Sequence, residues 1–155
     1  MLALTQAIDV DLWNAHAAEL MRFATVLVGP HDAADVVSDA FLGATRALAG
    51  TTVANPRAYL YRAVANRAHD LKRSRFRRWR RDLAAVGPGS SAQPDDFSDV
   101  RRAVAKLTVT QRAVVYLAYW EDLPERAIAE QLGLSPGSVH KTLERARDTL
   151  RKALA

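Results

Sequence analysis

Apolar residues recur along this chain at intervals of three and four positions, which is the spacing of one face of an α-helix. The first series is Trp13, Ala17, Leu20, Ala24 and Leu27, and the second is Val37, Ala40, Phe41, Ala44 and Leu48. Gly29-Pro30 and Gly50 follow these two series and indicate where the helices end. The sequence lacks the regular apolar–polar alternation of a half-buried strand, so the pattern predicts an all-α fold.

A third and longer helix is predicted after Asn55, a good N-cap that precedes a proline at the first helical position. It is expected to run unbroken from Pro56 to about Arg81. Its apolar side is Leu60, Val64, Ala68 and Leu71. The same spacing returns at Phe97, Val100, Val104 and Leu107, and Thr110 is expected to cap the helix that follows.

Residues 124–154 have the pattern of a helix-turn-helix motif. A short helix over 125–132 is followed by Gly133, which suits the positive φ of a tight helix end, and by the N-cap pair Ser135-Pro136. The last helix has an apolar face of Val139, Leu143, Ala146 and Leu150 and a polar face of Ser138, His140, Lys141 and Arg145. Such a helix can enter the major groove, where lysine and arginine donate to guanine edges or phosphates. The alternative is an ordinary helical hairpin with a solvated basic face.

The charge of the 155-residue chain is concentrated in one stretch. Lys and Arg outnumber Asp and Glu by 22 to 17, and the pI is near 10, which makes nucleic acid a leading candidate partner. Residues 67–81 hold eight basic groups and one acidic group, whereas 82–96 hold three aspartates and no base. The second stretch is also rich in Gly, Pro and Ser and predicts a flexible linker. The predicted organisation is therefore two small helical domains, 1–81 and 97–155, joined by a linker over 82–96.

The long helix carries a polar stripe opposite its apolar side. The stripe consists of Arg62, Asn66, His69, Arg73, Arg77 and Arg80. Asparagine and arginine can hydrogen-bond base edges, and arginine and lysine can hold phosphates. Tyr59, Phe76 and Trp79 offer flat surfaces for stacking on unpaired bases. Core or linker packing is the competing interpretation, and it is favoured for Tyr59 and Phe76 when each is taken singly.

Other chemistry has little support in the sequence. The chain has no cysteine, which excludes disulfides, thiolate metal sites and a cysteine nucleophile. Asp32, Asp35 and Asp39 share one side of the second helix, but no His, Lys or nucleophile keeps a fixed spacing with them. Structural capping together with a protein-facing surface is therefore favoured over catalysis. We expect no enzyme activity, no metal and no cofactor. The amino-terminal segment does not resemble a secretory signal, and no apolar run approaches the roughly 20 residues that span a bilayer, so we expect a cytoplasmic protein without membrane insertion.

Three segments, in this order, resemble a bacterial extracytoplasmic-function sigma factor of the sigma-70 family. They are DAADVVSDAFLGATRAL at 32–48, NPRAYLYRAVANRAHDLKR at 55–73 and LTVTQRAVVYLAYWEDLPERAIAEQLGLSPGSVHKTLERAR at 107–147. Together with the first helix, the resemblance covers almost the whole chain outside the linker. The chain departs from the usual family residues at Ser38, Thr45 and Thr142, where Gln, Trp and Arg are common.

The resemblance implies a promoter-recognition and DNA-melting role in transcription initiation. The first domain would bind the clamp of the β′ subunit of core RNA polymerase through Asp32, Asp35, Asp39 and Phe41. It would also engage the melted upstream-ten (−10) element through Arg62, Asn66, His69, Asp70, Arg73 and Arg77, near a loop at 50–55 that can hold a flipped base. The second domain would read the upstream-thirty-five (−35) element of promoter DNA through Ser138, His140, Lys141 and Arg145, and an anti-sigma factor is expected as a further partner. The alternative is a helix-turn-helix transcriptional regulator that binds duplex DNA without polymerase.

Overall fold

The computed structural model describes residues 6–85 and 99–155, and helices dominate both ranges. The elements are, in chain order, β1 (Gln6–Ala7), α1 (Val10–Val28), α2 (Ala33–Ala47), β2 (Thr52–Val53), α3 (Pro56–Ala85), α4 (Asp99–Ala105), α5 (Val109–Tyr119), α6 (Glu125–Leu132) and α7 (Pro136–Leu154). The all-α prediction is confirmed. The two short strands form an antiparallel ladder in which Gln6 pairs with Val53 and Ala7 with Thr52, an element too short to show a sequence pattern.

Local capping chemistry fixes most helix boundaries. The Asn55 side chain accepts a hydrogen bond from the backbone N–H of Ala58 at 3.1 Å, and α3 begins at Pro56 as expected. Ser135 caps α7 in the same way. The predicted cap at Thr110 is wrong: Thr108 is the N-cap of α5, because it forms a reciprocal capping box with Gln111, whereas the residue three positions after Thr110 is an alanine.

The amino-terminal helices α1, α2 and α3 pack around one apolar centre. Its fully buried side chains are Leu20, Phe23, Leu27, Val37, Leu60, Tyr61 and Val64. Phe23 lies against Tyr61 with ring centroids 4.8 Å apart. The periodic series of the sequence therefore do face the core, although Phe23 and Tyr61 lie outside the series.

The carboxy-terminal helices α4 to α7 form the second unit. Leu107, Leu117, Ile128 and Val139 are fully buried there, and Gly133 takes the left-handed conformation at φ +69° between α6 and α7. The expected apolar series at the start of this unit is only partly right: Val100 is 57% exposed, and α4 instead buries Ala103. Phe97 lies outside the described residues.

The two units pack against each other. Tyr116 of α5 lies 5.6 Å from Phe23 of α1, measured between ring centroids, and buried side chains of α5 and α6 continue the amino-terminal core. Helix α3 extends to Ala85, four residues beyond the expected end at Arg81, so the first residues of the predicted linker are helical. Residues 86–98, which include the rest of that linker, lie outside the described ranges.

Candidate nucleic-acid interface

Helix α3 extends beyond the helical bundle against which its first half packs. Its buried side chains end at Ala68 and its partly buried apolar ones at Leu71, so the stretch from Lys72 onward overhangs the core. That overhang holds most of the basic cluster of the chain. A helix with so many like charges gains stability when a polyanion lies against it.

The candidate strand-binding residues on α3 fall into two groups. Asn66, Asp70, Arg73 and Arg77 are exposed, and the Arg73 guanidinium donates to the Asp70 carboxylate at 2.7 Å. Arg62 and His69, in contrast, contact the carboxy-terminal unit. The Arg62 Nη2 donates to the backbone carbonyl of Glu130 at 2.6 Å, and His69 Nε2 shares a hydrogen bond with Thr110 Oγ1 at 2.9 Å. Partial burial, followed by the charge of Arg73, lowers the pKa of His69 below its usual value, so this imidazole is neutral at pH 7.

The expected stacking surfaces have different environments. Phe76 and Trp79 are 56% and 50% exposed on the overhang, with ring centroids 5.7 Å apart, and the Arg80 guanidinium lies 5.9 Å from the Phe76 ring. Tyr59 instead packs partly buried against the core. Phe76 and Trp79 also line a cavity of about 450 Å³, whose other walls are Val28, Leu71, Lys72, Arg75 and Arg112. Core packing is thus the right interpretation for Tyr59 alone.

The acidic face of α2 lies beside the basic helix. Asp32 accepts a hydrogen bond from Arg75 at 2.6 Å, and Asp39 accepts one from Arg67 at 3.0 Å. The Arg75 hydrogen bond lowers the pKa of Asp32 below its usual value. Asp32 is the N-cap residue of α2, but its carboxylate makes no capping hydrogen bond, because it is directed to Arg75. Two of the candidate polymerase-binding carboxylates therefore already have cationic partners within the chain.

The other two members of the candidate polymerase-binding set differ in exposure. Asp35 is exposed on α2. Phe41 is partly buried and meets Trp13 of α1 edge-on, with ring centroids 5.0 Å apart. Part of the Phe41 side chain thus remains available to another protein.

The second helix of the helix-turn-helix motif presents its polar face to solvent. Lys141 and Arg145 are exposed one turn apart. The Ser138 hydroxyl accepts a hydrogen bond from Ser135 at 2.9 Å and is part of the cap of α7. His140 lies between two carboxylates, with Nδ1 3.0 Å from Glu125 and Nε2 3.2 Å from Glu144.

The two glutamates change the chemistry of His140. Its hydrogen bond with Glu125 is the largest cause that raises the pKa of His140 above the usual value, and the charges of both glutamates act in the same direction. A histidine held in this way is a weaker candidate for direct base contact than Lys141 or Arg145, because its ring nitrogens are already occupied.

A contact between Arg147 and Tyr119, which the sequence pattern did not predict, helps to position the helix that carries this polar face. Arg147 Nε donates to the Tyr119 hydroxyl at 2.7 Å, and its guanidinium lies 5.7 Å from the centre of the Tyr119 ring. This contact fixes α7 against the end of α5. The two residues are 28 positions apart, so no helical spacing signals it.

Residues 6–85 and 99–155 contain no group of three or more His, Asp or Glu side chains placed to hold a metal ion. No helix in those ranges is both long enough and apolar enough to cross a bilayer.

Two helical units, one with an overhanging basic helix and the other with an exposed helix-turn-helix face, define a class of helical nucleic-acid-binding proteins. Comparison with known proteins is more specific. The family model for Sigma-70 region 2 matches residues 12–80, and the model for Sigma-70, region 4 matches residues 97–150. The ECF RNA polymerase sigma factor SigL of Mycobacterium tuberculosis is 31% identical over 153 residues, a match that covers 92% of this chain and 86% of that protein. The RNA polymerase sigma-E factor of Streptomyces antibioticus is 38% identical over 65 residues, or 42% of this chain and 36% of that protein.

Solved structures show the same architecture. The sigma factor RpoE, in complex with the anti-sigma factor NepR from Bartonella quintana, matches with a TM-score of 0.67 at 21% identity, covering 93% of this chain and 94% of that one. CnrH, in complex with the cytosolic domain of CnrY, matches with a TM-score of 0.63 at 29% identity, covering 93% and 85%. The chain belongs to the extracytoplasmic-function group of the sigma-70 family. It is an RNA polymerase sigma factor, which confers promoter recognition and DNA melting in transcription initiation, rather than a regulator that acts without polymerase.

Proposed function

We propose that the two units divide the promoter between them, with the amino-terminal unit holding the melted −10 strand and the carboxy-terminal unit reading the −35 duplex. The observation that carries this proposal is the exposed pair of basic surfaces on separate helices, α3 and α7. A melted strand needs groups that capture unpaired bases and phosphates, and α3 offers both. A duplex needs a helix that fits the major groove, and α7 begins at the turn of a helix-turn-helix motif.

Within α3, Asn66 is the proposed base-reading residue. An amide donates and accepts, so it can match the hydrogen-bonding edge of an unpaired base, whereas Arg73 and Arg77 suit phosphates. Capture of unpaired bases offsets the cost of unstacking, which is a few kcal/mol per base. Arg62, His69 and Asp70 complete the proposed strand-binding set.

Within α7, Lys141 and Arg145 are the proposed groove-facing residues. Both are exposed and one turn apart, so they can contact neighbouring positions of a duplex. Ser138 and His140 are proposed to flank this contact. The Ser138 hydroxyl is hydrogen-bonded to the N-cap residue Ser135, and His140 is paired with glutamates, so we assign them a positioning contribution.

We further propose that α2 binds the clamp of the β′ subunit of core RNA polymerase. Its contact set is Asp32, Asp35, Asp39 and Phe41. Asp35 is exposed without a described cationic partner, and Phe41 is only partly buried, which supports a mixed charged and aromatic contact. Joining the two units in one chain would let them engage promoter DNA together and raise avidity without new contacts.

An anti-sigma factor is the proposed inhibitory partner. Both structural neighbours named above were solved as complexes, one of them with a protein described as an anti-sigma factor. We also propose that the protein acts in the cytoplasm, where core RNA polymerase works, and that it has no catalytic activity of its own.

Transcription in vitro tests the division of labour. Core RNA polymerase, with and without the protein, is given fragmented genomic DNA of the source organism, and the 5′ ends of the transcripts are mapped. The expected result is a new set of start sites preceded by a shared −10 and −35 pair. An unchanged set of start sites contradicts the proposal. Binding of the protein alone to a specific duplex, with no polymerase requirement, would favour the regulator alternative.

A further inference from the structure

The cavity beside the overhang of α3 is a surface that the proposed function does not use. It has a volume of about 450 Å³ and lies between α3, the end of α1 and α5. Small-molecule sites usually have volumes of about 300–1,000 Å³. The lining combines apolar and cationic side chains, which are Val28, Leu71, Phe76 and Trp79 on the one hand and Lys72, Arg75 and Arg112 on the other. None of these residues belongs to the proposed strand-binding, duplex-reading or polymerase-binding sets.

The positive charge at the cavity is only partly neutralised by the described residues. Arg75 donates to Asp32 at 2.6 Å, but Lys72 makes no hydrogen bond or ion pair within residues 6–85 and 99–155. Desolvation, followed by the charge of Arg112, lowers the pKa of Lys72 below its usual value. These two cations are therefore close enough to repel each other, and an anion bound between them would be stabilised by both.

Backbone carbonyls hold the Arg112 guanidinium at the cavity. It donates to the carbonyls of Leu27, Ala105 and Val104 at 2.7, 2.9 and 3.2 Å. Each terminal nitrogen of the guanidinium has a second N–H, for which the described part of the chain supplies no acceptor. Burial lowers the pKa of Arg112, as expected for a cation without a carboxylate beside it. A guanidinium fixed in this way is preorganised to donate to phosphate oxygens.

Phe76 and Trp79 form an aromatic wall beside these cations. Their ring centroids are 5.7 Å apart with 32° between the ring planes, and each side chain is about half exposed. A heterocyclic base can stack on such rings, and the stacking suits any base because every base has a π-face. The cavity thus combines a stacking surface with groups that hold phosphate.

The cavity lies on a different side of α3 from the exposed strand-binding residues. At the helical period, the residues of α3 that line the cavity are centred roughly 160° away from Asn66, Asp70, Arg73 and Arg77. A DNA strand on the strand-binding face would have to cross the helix to reach the cavity. This separation favours a ligand that arrives on its own.

We propose that the cavity binds a free nucleoside polyphosphate, with the base stacked on the aromatic pair and the phosphates held by the cations. Because Arg75 is already bound to Asp32, Lys72 and Arg112 are the principal phosphate contacts. An aromatic acid with a single negative charge would neutralise only one of these two cations, whereas a polyphosphate chain neutralises both. The terminal nucleotide of a nucleic-acid strand has the same chemistry, so the probes are chosen to distinguish the two sources.

Nuclear magnetic resonance of the full chain tests the proposal with ADP as the probe, in buffer without divalent metal ions. The three tryptophans give three indole N–H signals, and Trp79→Phe identifies the signal of Trp79 by its loss. ADP should shift the Trp79 signal in a saturable manner and leave the signals of Trp13 and Trp120 unmoved. An unmoved Trp79 signal, or equal shifts of all three signals, would overturn the proposal.

Two partial ligands and one nucleic acid are the comparison probes. Adenosine lacks phosphate and pyrophosphate lacks a base, so each should bind at least about tenfold more weakly than ADP. Pyrophosphate that binds as tightly as ADP would refute the stacking contact and with it the proposal. If a single strand of about 12 nucleotides shifts the Trp79 signal and ADP does not, the cavity belongs to nucleic acid and the free ligand is refuted.

Calorimetric titration at fixed ionic strength assigns the contacts. Lys72→Ala should weaken ADP binding about tenfold, because a charge-assisted contact to phosphate is lost. Trp79→Ala should weaken it about fivefold or more, whereas Trp79→Phe keeps a stacking face and should stay near the wild type. Arg78→Ala is the matched control, because Arg78 is exposed on the same helix outside the cavity lining. If Arg78→Ala and Lys72→Ala weaken binding equally, ADP follows the general charge of the helix and the proposal is wrong.

Discussion

Gly133 takes part in two features of the fold, the turn of the helix-turn-helix motif and the contact between the two units. Its φ of +69° lies in the left-handed region, and a Cβ at this position would meet Arg62 Nε at 3.0 Å and Arg62 Cδ at 3.1 Å. The Arg62 side chain would have to give way by a few tenths of an ångström, which would weaken its 2.6 Å hydrogen bond to Glu130. Gly133→Ala should therefore destabilise the protein through the turn and through the interface.

The size of each contribution follows from the geometry. A non-glycine residue in the left-handed conformation costs about 1–2 kcal/mol. Weakening of the exposed Arg62 hydrogen bond costs at most about 1.5 kcal/mol, the contribution of the whole bond. The total of about 1–3.5 kcal/mol corresponds to a fall in Tm of about 2–14 °C for a chain of this size.

Unfolding of four proteins by heat and urea, followed by circular dichroism, separates the two contributions: wild type, Gly133→Ala, Arg62→Ala and the double variant. In the Arg62→Ala background, Gly133→Ala should cost only the left-handed strain, so the coupling between the two sites should be measurable and at most about 1.5 kcal/mol. Gly133→Asn should be milder than Gly133→Ala, because asparagine tolerates this conformation. Equal costs of Gly133→Ala in both backgrounds would refute the contact of Arg62 with Gly133, and a cost near zero would refute the left-handed turn.

Four other substitutions test individual contacts. Asn66→Ala should leave folding and polymerase binding unchanged but reduce the permanganate reactivity of the promoter bubble on fully paired DNA. The loss should be smaller on a template mismatched at the −10 element. If variant and wild type give equal reactivity on paired DNA, Asn66 does not belong to the strand-binding set. Arg145→Ala should weaken −35 duplex binding by about 1–3 kcal/mol and relax specificity at one position if Arg145 reads a base, whereas a phosphate contact would weaken all sequences equally; an unchanged affinity contradicts the groove-facing role. Asp32→Asn should lower the free energy of unfolding at pH 7 by about 0.2–1 kcal/mol, as expected for a pair whose guanidinium is half-exposed. Because the pKa of Asp32 is lowered in the folded state, the stability difference between wild type and variant should disappear as the pH falls through that pKa. A stability difference that persists in acid would contradict the Arg75 pairing. Glu125→Gln should move the pKa of His140, measured by NMR titration, down towards its usual value, so that the imidazole loses its proton at a lower pH than in the wild type; an unmoved titration contradicts the Glu125 contact.

Helix positions and caps were the features that the sequence predicted best, because their causes are local. The helix over 125–132, the left-handed Gly133 and the Ser135-Pro136 start of α7 all appear as expected. The errors were also local in origin. Thr108 rather than Thr110 caps α5, since only Thr108 has a glutamine three positions later, and Val100 faces solvent because the small Ala103 takes the buried side of α4.

The polar stripe of α3 shows the limit of that reasoning. A helical period tells which residues share a face, but it does not tell whether the face meets water, nucleic acid or another part of the chain. Arg62 and His69 fit the stripe as well as Asn66 does, yet their partners are 68 and 41 positions away, in a unit whose docking leaves no periodic signal. The same holds for Asp32 and Asp39, whose cationic partners lie 43 and 28 positions further along the chain. The sequence thus predicted which groups bind polyanions and polymerase, whereas only the folded arrangement shows that several of them are already engaged within the chain. If Arg62 and His69 do bind promoter DNA, that binding has to replace contacts within the protein as well as contacts with water.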